Sequence, residues 1–307
     1  MDDQEWLADR FEEHRTHLRA VAYRMLGSLT EADDAVQDAW LRLSRSGAGE
    51  IENLGAWLTT VVARVCLNML RARTTRREES FAERLPDPVV SLDGELAPED
   101  QALLADSVGL ALLVVLDTLS PAERLAFVLH DVFGFPFQEI APMVGRTPAA
   151  ARQLASRGRR RVKGAHLPSP DPDLVRQRDV VDAFFAASRA ADFKGLVAVL
   201  HPDVVLRADL GANLRGEFRV IRGVAAVAQQ ARAVPGSELH AVLVNGVPGV
   251  VVTVRGRPFA VMGFTVSGDR IVEIDVIGDP ERVRRVASAV LPVEPSRARP
   301  AAQNRPL

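Results

Sequence analysis

Cysteine occurs once in the 307 residues, as Cys66. A lone thiol closes no intramolecular disulfide and supplies no cysteine-rich zinc site. Residues 174–291 contain neither tyrosine nor tryptophan. No apolar stretch is long enough to span a bilayer. Met1-Asp2-Asp3 does not open on the basic and then apolar segments of a secretory signal. No internal repeat is visible. These absences lead us to expect a reducing, cytoplasmic setting, with no membrane association and neither metal nor cofactor. One sign of charge is also missing, but only locally. The net charge is −2, yet from Arg64 to Arg77 there are five arginines and no acid. From Glu78 to Asp106 there are nine acids against Arg84 alone. From Ile140 to Gly164 there are six arginines plus Lys163, again with no acid. Two basic islands thus flank an acidic bridge, and nucleic-acid binding needs positive charge at a contact face rather than in the total.

What is present is mostly helix, then strand. Phe11, Leu18, Val21, Ala22, Met25 and Leu26 recur at helical spacing, and Gly27 closes that run. Thr30-Glu31-Ala32-Asp33 reads as the capping box of a second helix. A third helix starts near Asn53 and runs through Trp57, Val61, Val62, Val65 and Leu70 into the arginines. Residues 78–107, with Pro86, Pro88, Pro98 and many acids, read as a linker. Ser120-Pro121-Ala122-Glu123 combines a serine cap, a proline at the first helical position and a glutamate three residues on. Pro168, Pro170 and Pro172 mark a second linker over 166–173. Beyond it two amphipathic helices (175–191 and 194–200) precede β-rich runs at 204–208, 239–245, 250–255, 259–266 and 271–277, which predicts a small α+β domain. The expected organisation is multidomain. All-α modules at 1–77 and 108–165 precede an α+β domain at 174–291, and a tail at 292–307 is rich in Pro and Arg and expected to be disordered.

The sharpest local pattern is a helix–turn–helix from Phe137 to Arg161. Gly145 makes the turn, Thr147 caps the second helix, and Ala150, Ala151, Leu154 and Ala155 form its expected buried face. Arg146, Arg152, Gln153, Ser156, Arg157 and Arg160 point the other way, as a helix entering a major groove requires. The helix from Trp57 into Arg64, Asn68, Arg71 and Arg73 suits single-stranded DNA, where bases stack and phosphates meet cations. Trp57 itself reads better as a core residue.

Glu31-Ala32-Asp33-Asp34-Ala35-Val36-Gln37-Asp38-Ala39-Trp40-Leu41-Arg42 and Trp57-Leu58-Thr59-Thr60-Val61 resemble region 2 of the extracytoplasmic-function (ECF) sigma factors. Leu119-Ser120-Pro121-Ala122-Glu123-Arg124 and the helix–turn–helix resemble region 4. The resemblance implies that Asp33, Asp34, Gln37 and Asp38 dock on core RNA polymerase, and that Asn68 lies near a pocket for an unstacked promoter base. It also implies phosphate contacts for Arg64, Arg71 and Arg73, with region 4 reading the minus-thirty-five element and region 2 opening the minus-ten element. Where the family commonly has Arg-Asn, this chain has Arg64-Val65, and Asn68 replaces the usual Asp. Arg84-Leu85-Pro86-Asp87-Pro88-Val89-Val90, His201-Pro202-Asp203-Val204, Val244-Asn245-Gly246 and Asp279-Pro280-Glu281 resemble the narrower sigma-J-like group, whose fused domain is SnoaL-like (NTF2-like) and cone-shaped. That group's Asp-Gly-Gly-Gly stretch is here Asp209-Leu210-Gly211-Ala212-Asn213. The resemblance implies that the fused domain tunes polymerase engagement, so no separate anti-sigma protein is expected, and it leaves room for an unknown small ligand.

Two other readings stand beside this one. An isomerase, cyclase or hydrolase would use His201 with Asp203, or Asp209 with Asp275, as an acid–base pair. A simple repressor or activator would use the helix–turn–helix alone and leave the first basic island without a task.

Overall fold

The computed structural model describes residues 3–46, 51–76, 84–92, 110–165, 172–211, 218–288 and 290–291. The tail 292–307, most of both linkers and the motif beyond Gly211 lie outside these residues. The chain opens with α1 (Asp3–Leu26), α2 (Leu29–Ser46) and α3 (Leu54–Arg76). Their apolar spacing becomes one buried seam: Phe11, Val21 and Met25 meet Ala35, Ala39 and Leu43, with Leu58, Val62 and Leu70 closing it. Cys66 lies in that seam, where desolvation pushes its thiol up to about 12. The start of α2 corrects the expected capping box. The cap is Ser28, whose hydroxyl accepts from Glu31 N at 3.5 Å, while Leu29 N donates to the Asp87 carboxylate at 3.1 Å. A carboxylate from the linker takes the place assigned to Thr30.

The second helical unit holds α4 (Leu110–Asp117), α5 (Pro121–Phe127) running on through a π-helical turn (Val128–Val132), α6 (Phe137–Val144) and α7 (Pro148–Gly164). Ser120 and Glu123 form the reciprocal capping box the sequence predicts. The two helical units are not tethered bodies, however. A single buried cluster runs from Leu7 to Ala155. The Phe133 ring lies edge-on to His17 at 5.3 Å and under Arg24 at 5.1 Å, and Arg124 Nε donates to the Arg24 carbonyl at 3.1 Å.

The C-terminal half contains α8 (Leu174–Arg189), α9 (Phe193–Val199), β2 (Leu200–Asp209), β3 (Phe218–Arg222), α10 (Val224–Gln230), β4 (Ser237–Val244), β5 (Val247–Val254), β6 (Arg257–Ser267), β7 (Arg270–Ile277) and α11 (Pro280–Ala287). Together with β1 (Val90–Ser91) the strands form one sheet in the order β1-β4-β5-β6-β7-β2-β3. Among the described strands β2 and β7 pair in parallel and the other neighbours antiparallel. The α+β class and five of its strands agree with the sequence reading; β1, β3, α10 and α11 were not anticipated.

Over residues 84–92 the linker expected at 78–107 is built into the fold through β1. Val90 pairs with Val244 and Ser91 with Leu243, so the linker adds an edge strand to the C-terminal sheet. Leu85, Asp87, Val89, Val90 and Ser91 are all buried. Val89 enters the helical core, while Leu85 and Val90 join a separate cluster with Val242, Val283 and Val286. Asn245, in the left-handed region at φ 51°, clamps the Val89 peptide: its side chain accepts from Val89 N at 2.7 Å and its N–H donates to Val89 O at 2.8 Å. Arg282 sits between Asp87 (2.7 Å) and Asp209 (2.5 Å) and donates to Leu85 O at 2.5 Å.

Arg282→Met is expected to lower stability by about 3–5 kcal/mol, because it leaves two buried carboxylates uncompensated. Urea titration checks the loss. In the parent, Cys66 is expected to react with a thiol reagent only as fast as the helical core opens, since its protonated, buried thiol is unreactive.

Candidate polymerase and DNA interfaces

The helix–turn–helix is built by three local devices. Gly145 adopts φ 67°, ψ 41°, which a Cβ would strain, and reverses the chain after α6. The Thr147 side chain accepts from Ala150 N, and Pro148 occupies the first turn. Ala151, Ala155 and Gly158 then form the buried face of α7. Gly158 is the member the sequence reading missed, and Ala150 and Leu154 are only half-buried. A Cβ on Gly158 would stand 3.0 Å from Phe127 Cβ, so glycine sets how closely α7 approaches α5. Arg146, Arg152, Gln153, Ser156, Arg157 and Arg160 are all exposed on the opposite side. They are not equivalent. Arg157 reaches Glu123 at 3.4 Å and Arg161 reaches it at 2.8 Å, so a scaffold carboxylate orients that end of the face. The Arg152 guanidinium lies 5.4 Å from the Phe137 ring. Among the described residues no carboxylate pairs with Arg146, Arg152 or Arg160.

On α3, Arg64, Asn68 and Arg71 are exposed at the i, i+4, i+7 spacing of one helix face. Trp57, on the same face, is half-buried and packs against the helical core. Arg73 departs from the phosphate-contact assignment. Its side chain is 17% exposed, pairs with Glu31 and donates to Leu26 O, so it ties α3 to α2 and to the end of α1. A third face belongs to α2. Asp33, Asp34 and Gln37 are exposed and Asp38 is half-buried. Asp33 pairs with Arg19 at 2.7 Å and Asp38 with Arg42 at 2.9 Å, which leaves Asp34 and Gln37 at the centre of an acidic ridge.

The family model for Sigma-70 region 2 matches residues 10–76, and that for Sigma-70 region 4 matches residues 109–162. The chain is 40% identical over 276 residues to the ECF RNA polymerase sigma factor SigJ of Mycobacterium tuberculosis, covering 87% of this chain and 86% of that one. The crystal structure of that SigJ superposes with a TM-score of 0.69 at 34% identity, over 90% of this chain and 97% of that chain. The ECF RNA polymerase sigma factor SigG of the same species is 27% identical over 295 residues, covering 86% of this chain and 78% of its own. The chain belongs to the ECF RNA polymerase sigma factors. The matched regions coincide with α1–α3 and with α4–α7, and the SigJ match extends across the C-terminal α+β domain.

That domain also encloses a cavity of about 260 Å³ between α8, β2, β3 and the β4–β6 face. None of the residues proposed as an acid–base pair lines it. Asp209 is committed to Arg282 and to Leu85 N, and Asp275 to Arg207 at 2.6 Å. His201 Nδ1 accepts from Asp203 N at 3.2 Å, a local turn contact. Among the described residues no helix is long and apolar enough to cross a membrane.

Arg73→Ala is expected to cost about 1.5–3 kcal/mol through its lost charged hydrogen bonds. Arg64→Ala and Arg71→Ala are expected to stay within about 0.5 kcal/mol of the parent, as exposed substitutions do. Chemical denaturation of the three variants separates the two roles.

Proposed function

We propose that this sigma factor binds core RNA polymerase through the outer face of α2, with Asp33, Asp34, Gln37 and Asp38, and acts on promoters through two arginine faces. Arg146, Arg152, Gln153, Ser156, Arg157 and Arg160 meet duplex DNA at the minus-thirty-five element. Arg64, Asn68 and Arg71 meet the opened minus-ten element. Arginine–phosphate contacts supply salt-sensitive, mostly sequence-neutral affinity. Bidentate base contacts add discrimination of about 1–3 kcal/mol per pair. The setting is the cytoplasm, no catalytic residue is assigned, and regulation is supplied in cis rather than by a separate anti-sigma protein.

The C-terminal domain governs the change of state this requires. Two promoter elements lie at separate stations, so helical units that share one core must part before both are engaged. The observation that carries this reading is Asp87, which caps α2 at Leu29 N and binds Arg282 of α11 at 2.7 Å. Through it the C-terminal domain holds the linker against region 2 and favours the closed arrangement. Polymerase shifts the population toward the open one only by its difference in affinity for the two.

In the full chain, Arg152→Ala and Arg160→Ala are each expected to weaken promoter binding by holoenzyme and to lower the salt slope by about one. Unchanged slopes in filter-binding titrations count against the recognition face. Run-off transcription with core polymerase tests the rest. Residues 1–172 are expected to keep core association while transcription changes relative to the full chain. A full chain that fails to associate with core at any salt concentration overturns the reading.

A further inference from the structure

The cavity in the C-terminal domain has a chemical bias. Its wall is apolar, with Phe184, Leu206, Val252, Met262 and Val276 among the lining side chains. Arg189, Arg219 and Arg232 also line it, and all three are exposed. Among the described residues no aspartate or glutamate lines it. Arg189 and Arg232 pair with no carboxylate among the described residues, and two such guanidinium groups at an apolar hole repel a cation and offer a neutral hydrocarbon nothing beyond burial. A carboxylate instead gains forked, charge-assisted hydrogen bonds while its apolar body leaves water. The volume, about 260 Å³, lies at the small end of ligand sites, so the occupant is compact.

We propose that this cavity binds a compact apolar carboxylate, its hydrocarbon inside and its charge between Arg189 and Arg232. The strand geometry connects the site to the linker. Ala208 and, just past the strand, Leu210 line the cavity, and Asp209 between them, the last residue of β2, projects away from it, as the residue after Ala208 in a strand does. There Asp209 accepts from Leu85 N at 3.1 Å and from Arg282 at 2.5 Å. Ligand pressing on Ala208 and Leu210 therefore acts one residue from the groups that hold the linker. This regulatory consequence rests on the function proposed above; the binding does not.

Isothermal titration of the full chain with 2-naphthoate and with neutral 2-naphthol tests the assignment. The carboxylate is expected to bind about tenfold tighter, the equivalent of one charge-assisted contact. The double variant R189Q/R232Q is expected to lose that preference, and A260F, verified as folded by its thermal melt, to lose both ligands. Saturating 2-naphthoate is expected to change hydrogen exchange at the Leu85 amide about fivefold. Equal affinity for the two probes, absence of binding, or a preference that survives in R189Q/R232Q overturns the proposal. An unchanged Leu85 amide overturns the link to the linker. Core polymerase association is measured on the same preparations. A failed titration with association intact sinks the ligand alone, and lost association sinks the sigma-factor mechanism alone.

Discussion

The Arg282 guanidinium lies between the Asp87 and Asp209 carboxylates, with all three side chains almost fully out of water. Burying one positive and two negative charges is unfavourable unless each carboxylate oxygen finds a donor. Here it does so by drawing on separate parts of the chain. Asp87 also accepts from Leu29 N, Asp209 from Leu85 N, and Arg282 donates to Leu85 O. The backbone around them is likewise committed: Tyr23 Oη donates to Asp87 O at 2.5 Å, and Asp87 N to Gly27 O at 2.8 Å. The network forms only when region 2, the linker and the C-terminal domain are all in place. It contributes less as raw stability than as a condition, because removing any one body leaves unsatisfied charge on the others.

That condition explains what was legible in the sequence and what was not. Periodicity located α1–α3, α8 and α9 because their cores are made by residues three and four apart. Caps located α5 and α7 because Ser120 and Thr147 act within their own turn. The linker failed because composition misleads there. Nine acids and three prolines read as a linker, yet Leu85, Val89 and Val90 are core residues: Leu85 and Val90 pack with Val242, Val283 and Val286, more than a hundred residues away, and Val89 enters the helical core. A signal was available. Asp279-Pro280-Glu281 repeats the logic of Ser120-Pro121, an N-cap followed by proline at N1, and it does open α11. An aspartate set between two prolines and flanked by Leu85 and Val89 was the other hint. What no local rule supplies is that the two belong together.

The arginine faces show the same division between local and long-range information. Five outward positions on α7, Arg152, Gln153, Ser156, Arg157 and Arg160, follow from helix phase alone, and each is exposed. Phase did not place Arg73, because its fate depends on Glu31 of another helix. Nor did it rank the members of the proposed recognition face. Glu123 closes the capping box at Ser120 and also meets Arg157 and Arg161, so one carboxylate both starts α5 and orients the end of α7. Arg146, Arg152 and Arg160 pair with no carboxylate among the described residues. The proposed DNA face is thus a few uncommitted guanidinium groups among others that hold the scaffold.

Strand β2 brings the two halves of the molecule into register. Its alternate residues face different environments: Leu206 and Ala208 meet the cavity, as does Leu210 just beyond the strand, and Asp209 meets the linker. A sheet transmits displacement well along such a strand, because packed interiors are close to incompressible and hydrogen bonds to β3 and β7 fix its neighbours. The edge strand β1 belongs to the same sheet, and its register on β4 is held by the Asn245 clamp on Val89. The linker is therefore attached at two points, one through charge at Asp209 and Arg282 and one through main-chain pairing at Val90. The first is sensitive to a shift of a few tenths of an ångström, because buried ion pairs lose their compensation steeply with geometry. The second tolerates such a shift. A domain built this way can loosen the charged attachment while the strand still holds the linker nearby, so opening and reclosing need not wait for the domains to find one another again.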